Sequence, residues 1–250
     1  MFYKIKGYAL YFGVFCVFSA FLLLLYFAFI KRSMMMYGGK ICVADFLDSL
    51  THGFFINLLV VPFSAVLITA FSERHCTTAN YYLRRKKRFF IISNQLMKIL
   101  FSSVFISVLF AAVSTVIAGL FTSVFINWRE YGSFFYISRG VRLDISFINV
   151  LTVITIKLFF PILFFSLFVC MVSLVTKKIF SFIAVIALSA MNFFGLIKYM
   201  IDSALPFNET EISYLSLSSR ILLFVVFPLL IAVIAALSFK LVKRKDFLVT

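Results

Sequence analysis

Six stretches of about twenty apolar residues, none containing Asp, Glu, Lys, Arg or His, constrain the fold more than any other feature of the chain. They cover residues 7–30, 53–72, 99–120, 158–176, 179–197 and 221–239. A bilayer core about 30 Å thick is crossed by about 20 helical residues. The sequence therefore predicts an all-α integral membrane protein, with six transmembrane helices in a single domain over residues 1–250.

The composition excludes a water-soluble domain, because 64% of the residues are hydrophobic and only 13% are charged, against about 25% charged residues in soluble domains. The net charge of +15 does not indicate nucleic-acid binding, since the cations lie between apolar runs. With the N-terminus inside, the inner segments hold 15 Lys and Arg residues and the outer segments hold 8. This asymmetry predicts that both termini are cytoplasmic.

Lys157 needs separate treatment because the apolar stretch around it, 146–176, is longer than one membrane crossing. Lys157 and Lys177 are twenty residues apart, which is about 30 Å of helix. This spacing predicts that the two lysines mark the two faces of one span. Lys157 then snorkels to the outer interface, and residues 146–156 form an interfacial helix outside. The alternative is an intramembrane lysine that takes part in function.

The predicted spans contain almost none of the groups that catalysis requires. They hold no carboxylate and no histidine for acid–base chemistry, so no catalytic residue is predicted. Neither His52 nor His75 has a partner at metal-ligand spacing, and the four cysteines form no paired motif. The chain also lacks the G-x-x-x-x-G-K-[ST] loop that binds ATP phosphates. Any uphill transport must therefore draw its energy from a partner.

The inner segment 73–98 is the most unusual part of the chain. It contains Tyr81 and Tyr82 and then the five consecutive cations of residues 84–88. The simplest interpretation is that the cations contact anionic lipid. The polar and aromatic residues in front of them indicate a docking surface in addition.

A stripe of small residues runs along one face of the third predicted span. It consists of Ser103, Ser107, Ala111, Ser114 and Ala118. Small residues let membrane helices approach closely, so the stripe predicts helix packing. A polar track for substrate is the alternative.

These features together resemble the type-2 ABC transporter permeases, mostly bacterial exporters. In that family the first cytoplasmic loop starts with Glu after the second span and passes through Gly-Thr and a hydrophobic pair. It ends at a basic residue that opens the third span. The corresponding residues here are Phe71-Ser72-Glu73, Arg74, Thr77-Thr78, Tyr81-Tyr82-Leu83 and Arg88. The tight turn at Lys177-Lys178 and the basic tail that ends in Asp246-Phe247 also fit. The Gly, a Pro before the basic residue and most of an N-terminal amphipathic helix are absent.

The resemblance implies a dimeric permease in the bacterial cytoplasmic membrane, with no nucleotide site of its own. A separate ABC ATPase would carry ATP and Mg and dock on the loop 73–88, while the segment 198–220 would fold partly back into the membrane. The cargo expected is an amphipathic or hydrophobic peptide, moved for export or self-immunity. No directly bound cofactor and no nucleic-acid partner are expected. The alternatives are a drug or lipid exporter and a membrane scaffold or regulator that does not transport.

Overall fold

The computed structural model describes residues 2–51, 59–74, 88–173, 176, 178–193 and 227–244. Within these residues the chain is all-helical, which confirms the predicted all-α class, and the one strand-like pairing among them is a parallel bridge between Lys40 and Ser133. The helices in chain order are α1 Phe2–Met36, α2 Val43–Thr51, α3 Val61–Arg74, α4 Arg88–Gly119, α5 Phe134–Arg139, α6 Phe147–Ser173, α7 Lys178–Phe193 and α8 Phe227–Arg244.

Three helices in the described part of the chain are long and apolar enough to cross a membrane, on length and composition. These are Cys16–Met36, Ile92–Gly119 and Phe147–Ser173. Shorter apolar helices cover Val61–Ala70, Ile179–Ser189 and Leu229–Ser238, and each overlaps another of the predicted spans.

Two helices extend beyond the limits predicted from charge. Helix α4 begins at Arg88 and includes Lys98, whereas the third span was expected to begin at residue 99. Helix α6 runs without a break from Phe147 to Ser173, so the separate interfacial helix expected at 146–156 is the first part of the same helix. A helix continues because each added residue contributes a backbone hydrogen bond, and a lysine side chain does not interrupt this series of bonds.

The chain divides into two compact units, the first of which comprises Met1–Thr51 and Leu109–Ile154. Its core contains an aromatic cluster of Phe27, Phe46 and Phe121, with ring centroids 5.2 to 6.5 Å apart. Trp128 stacks on Phe135 with a centroid distance of 4.2 Å. Aromatic pairs at these distances add to the stabilisation from apolar burial, so α1, α2 and the connection 120–146 are joined around shared rings.

The second unit comprises His52–Val108 and Thr155–Thr250, and in it α3 packs against α7. Each helix buries three residues at four-residue spacing, which places them on one helical face, and the outer two of each set are serines. The buried positions are Ser64, Ile68 and Ser72 on α3, and Ser181, Val185 and Ser189 on α7. Small residues on facing helices allow close backbone approach.

Candidate functional site

The predicted coupling segment lies between the end of α3 and the start of α4. Glu73 and Arg74 are the last two residues of α3, and Arg88 is the first residue of α4. Thr77, Thr78, Tyr81 and Tyr82 lie outside the described residues. The described helices therefore bracket the segment, and its docking role stays a prediction.

The second predicted cytoplasmic turn joins α6 to α7. Lys178 is the first residue of α7, while Lys177 lies outside the described residues. Thr176 beside it donates its backbone N–H to the carbonyl of Val172 at 2.9 Å, and its hydroxyl lies 3.5 Å from that of Ser181. Four residues, 174–177, separate α6 from α7, and the cytoplasmic turn stays a prediction.

Lys157 lies in the interior of the continuous helix α6, and only 8% of the residue is exposed. Pro161, one turn later, has no N–H to donate to the carbonyl of Lys157 four residues earlier. Lys157 is therefore held within the protein, next to a local change in the helical hydrogen-bond pattern. Neither the interfacial role nor the functional alternative is decided by this placement.

The serines of the small-residue stripe on α4 are buried and donate to their own helix. Ser103, Ser107 and Ser114 donate their hydroxyls to carbonyls four residues earlier, at 2.7 to 2.8 Å. These bonds use the one hydroxyl proton of each serine. The arrangement therefore presents little donor capacity to a polar substrate and fits the packing interpretation.

A buried carboxylate in the first unit was not selected from the sequence. The Asp45 side chain accepts two hydrogen bonds of 2.8 Å, one from the indole Nε1 of Trp128 and one from the backbone N–H of Cys42. Asp45 is the third residue of α2, and Cys42 immediately precedes the helix. An acidic side chain at this position that reaches back to the cap N–H stabilises the helix start. Asp45 thus caps α2 and, through Trp128, also holds this helix against the connection 120–146.

The start of α2 is held against that connection by backbone bonds as well. The N–H groups of Val43 and Ala44 donate to the carbonyls of Val124 and Phe125, at 2.9 and 3.0 Å. The first N–H groups of a helix have no partner inside the helix. Here the connection 120–146 supplies the acceptors. The same hydrogen bonds therefore start α2 and hold it against that connection.

Two charged or polar contacts strengthen the same region. Arg139, at the end of α5, lies 3.4 Å from the Asp48 carboxylate one turn after Asp45. Lys31, near the end of α1, donates to the carbonyl of Phe121 at 3.1 Å and lies 5.6 Å from its ring centroid. These contacts place the cations against a fixed acceptor rather than leaving them in solvent.

Burial shifts the proton affinity of two groups at this site. It raises the pKa of the Asp45 carboxyl, although the hydrogen bonds from Cys42 and Trp128 act in the opposite direction. It also raises the pKa of the Cys42 thiol to about 12. A thiol with this pKa is protonated at neutral pH, which disfavours Cys42 as a nucleophile or thiolate ligand. The cluster fits a structural role rather than acid–base chemistry.

Two sequence signals could have drawn attention to this cluster. Asp45 and Asp48 are three residues apart, on one face of a short helix, in a chain with only 9 acidic residues. Trp128 is the single tryptophan of the chain. Their pairing is a contact across 83 residues, which periodicity alone does not reveal.

The described part of the chain contains no group of three or more His, Cys, Asp or Glu side chains arranged to hold a metal ion. No family model, curated protein or solved structure matches the chain.

Proposed function

We propose that the chain is the membrane subunit of an ATP-driven ABC exporter, with six membrane-spanning helices and both termini in the cytoplasm. The observation that carries the proposal is the segment between Phe71 and Arg88, whose order of residues resembles the coupling loop of type-2 permeases. The end of α3 at Arg74 and the start of α4 at Arg88 agree with a loop between two membrane helices.

The exposed surface of α1 supports placement in a membrane. Large apolar side chains cover it, including Phe18 at 54% exposure and Phe29 at 73%. Soluble proteins rarely expose extended apolar patches, whereas lipid tails solvate such side chains without penalty. Together with the long apolar helices and the excess of cations on one side, this surface supports a multi-pass protein of the bacterial cytoplasmic membrane.

The energy source follows from what the sequence lacks. Because the chain has no phosphate-binding loop of its own, ATP and Mg are handled by a separate ATPase subunit. That subunit binds the loop 73–88, where Tyr81 and Tyr82 provide large contact area. A second permease chain completes the transporter as a homodimer or heterodimer.

The character of the described helices supports an amphipathic or hydrophobic peptide as cargo, for export or self-immunity. The hydroxyls of Ser103, Ser107 and Ser114 are bonded within α4. The chain contains 36 Phe residues. Helices that are rich in Phe and offer few free hydroxyl donors suit an apolar cargo better than a charged solute, because a charge buried in a membrane is strongly destabilising.

The test is co-purification of the ATPase from cells that express the chain with a tag. Tyr81→Ala combined with Tyr82→Ala should lower the recovered ATPase at least about tenfold, as loss of two interface tyrosines does, and should stop transport. Tyr37→Ala is the matched control, since Tyr37 is an exposed tyrosine remote in sequence from the loop. We expect it to retain wild-type recovery.

Two results would contradict the proposal at different levels. Wild-type recovery and transport by the double variant would show that the loop is not the docking site. Absence of any ABC ATPase with the wild-type chain, under conditions that preserve membrane complexes, would overturn the exporter assignment and favour the non-transporting scaffold.

A further inference from the structure

An open cleft of about 650 Å³ lies in the first unit, lined by residues between Arg129 and Asp144 that include Tyr136 of α5. It is formed by the residues that follow Trp128 and by the segment that leads into α6. The side chains that give it its chemistry are Arg129, Tyr131, Tyr136, Arg142 and Asp144. None of them was selected from the sequence, and the proposed transport function does not use the cleft.

The two arginines of the cleft are in different electrostatic situations. Arg129 forms an ion pair with Asp144. The guanidinium of Arg142 lies 4.2 Å from the ring centroid of Tyr131, and it makes no ion pair with a carboxylate in the described part of the chain. Tyr131 in turn meets Tyr136 edge-on at 5.2 Å. The cleft therefore has aromatic walls and one positive charge that is not neutralised.

The cleft also lies at the boundary of an apolar helix. Asp144 is three residues before Phe147, where the candidate span Phe147–Ser173 begins. Arginine and tyrosine side chains are typical of the zone where a membrane helix meets lipid headgroups. The exposed apolar side chain of Val141 lines the cleft. The same unit also exposes Phe125, which contacts Phe147 edge-on at 5.2 Å at the start of α6. A cation next to exposed apolar surface matches the two parts of an anionic lipid.

We infer that this cleft binds the phosphate group of an anionic phospholipid. The planar guanidinium of Arg142 donates paired hydrogen bonds to phosphate oxygens, while Tyr131 keeps it oriented from behind. The acyl chains leave the cleft past the exposed side chain of Val141. The inference rests on placement in a membrane but not on transport or on an ATPase, so it can fail while the proposed function holds.

The test uses the single tryptophan as a local reporter. Trp128 precedes Arg129, and its carbonyl accepts the N–H of Leu143, which lines the cleft, at 3.2 Å. The full chain is reconstituted in phosphatidylcholine vesicles that contain phosphatidylglycerol, with bromine placed on the acyl chains of one lipid or the other. Bromine quenches tryptophan fluorescence on close approach. We expect brominated phosphatidylglycerol to quench Trp128 more strongly than brominated phosphatidylcholine at equal fraction.

The variants locate the effect. Arg142→Gln should weaken the apparent affinity for phosphatidylglycerol about fivefold, the factor that corresponds to roughly 1 kcal/mol for one cation near an anionic lipid surface. Arg32→Gln removes an equal charge from an exposed position at the end of α1 and should keep the wild-type preference. An unchanged emission maximum of Trp128 in Arg142→Gln shows that the unit remains folded.

Three results would overturn the inference. Equal quenching by the two lipids would show that the cleft does not select the anionic headgroup. An equal loss in Arg142→Gln and Arg32→Gln would show general surface attraction instead of a site. Relief of the quenching by inorganic phosphate or glycerol 3-phosphate would show that the cleft takes a free anion rather than a membrane lipid.

Discussion

The indole N–H of Trp128 donates a hydrogen bond of 2.8 Å to the carboxylate of Asp45, which lies 83 residues earlier in the chain. Both residues are almost fully buried, with exposures of 1% and 3%. A buried donor that loses its acceptor costs about 1–3 kcal/mol. The pair is therefore one of the contacts by which two segments distant in sequence stabilise the first unit.

Replacing Asp45 by Ala should destabilise the first unit by about 2–4 kcal/mol, because the N–H groups of both Trp128 and Cys42 lose their acceptor. Denaturant unfolding in detergent, followed by Trp128 fluorescence, measures the change. Glu130→Ala is the control, since Glu130 is an exposed carboxylate 3.8 Å from Lys40, and it should change stability by less than about 1 kcal/mol. Equal stability of the two variants would exclude a structural role for Asp45.

The stability of the first unit should fall as the pH rises above the ordinary aspartate pKa of 3.8. Burial raises the pKa of folded Asp45, so the folded state holds its proton at pH values where the unfolded state has released it. This contribution is complete below the unfolded pKa and is lost as the pH passes the folded pKa. The measurement compares the pH dependence of unfolding in the wild type with that of Asp45→Asn, which lacks the titration. A wild-type stability that instead rises with pH, relative to Asp45→Asn, would show that the hydrogen bonds outweigh burial.

Gly39→Ala should destabilise the first unit by about 1–3 kcal/mol. Gly39 has a φ of +114°, and an added Cβ would lie 2.7 Å from the Cδ1 atom of Ile137 and 3.2 Å from the backbone of Phe134. Gly132→Ala is a matched control, because its Cβ would meet nothing within 4 Å and its φ is not positive. Thermal unfolding of the two variants checks the difference, and similar midpoints would contradict it.

Lys157→Gln tests the role predicted for this lysine from its spacing to Lys177. A lysine at the outer interface packs its aliphatic stem against the protein and extends its ammonium group to water. We therefore expect Lys157→Gln to transport near the wild-type level and Lys157→Arg to have no effect on transport. Transport and membrane abundance are measured together. Loss of transport in Lys157→Gln at normal abundance would assign the buried ammonium to the mechanism instead.

The predicted orientation places the connection 120–146 outside the cell and the segment 75–87 inside. Ser123→Cys, at an exposed position, should react with a membrane-impermeant thiol reagent added to intact cells, and Lys86→Cys should react only after the cells are opened. The native cysteines are replaced in both variants, and insertion is checked by membrane abundance. The reverse labelling pattern would contradict the positive-inside assignment.

The helical elements could be predicted from the sequence where apolar runs are long and free of charge. Helix α4 contains the expected span 99–120 up to Gly119, and helix α6 contains most of 158–176. The first residues of these helices could not be predicted from charge. Lys98 and Lys157 both lie inside continuous helices, because a lysine side chain does not interrupt the backbone hydrogen bonds of a helix. A charged side chain indicates where the membrane–water interface lies, but it does not indicate where a helix begins.

The candidate sites were predictable to a smaller extent. The spacing of the serines on α4 predicts helix packing, with a polar substrate track as the alternative; their hydroxyls bond to the preceding turn, which favours packing, but the role stays a prediction. The Asp45 cluster and the cleft around Arg142 were missed, because each depends on contacts made when the connection 120–146 folds back on itself or on α2. Such contacts leave no periodic pattern in either segment.

The backbone bonds between residues 40–44 and residues 124–134 also have a consequence for biosynthesis. The two segments are about 80 residues apart, and ribosomes add about 5–20 residues per second, so the earlier segment waits roughly 4–16 s for its partner. During that interval α1 is already available for insertion, but the start of α2 has only water to satisfy its N–H groups. These bonds therefore form only after the second long helix, Ile92–Gly119, and the connection that follows it have been made.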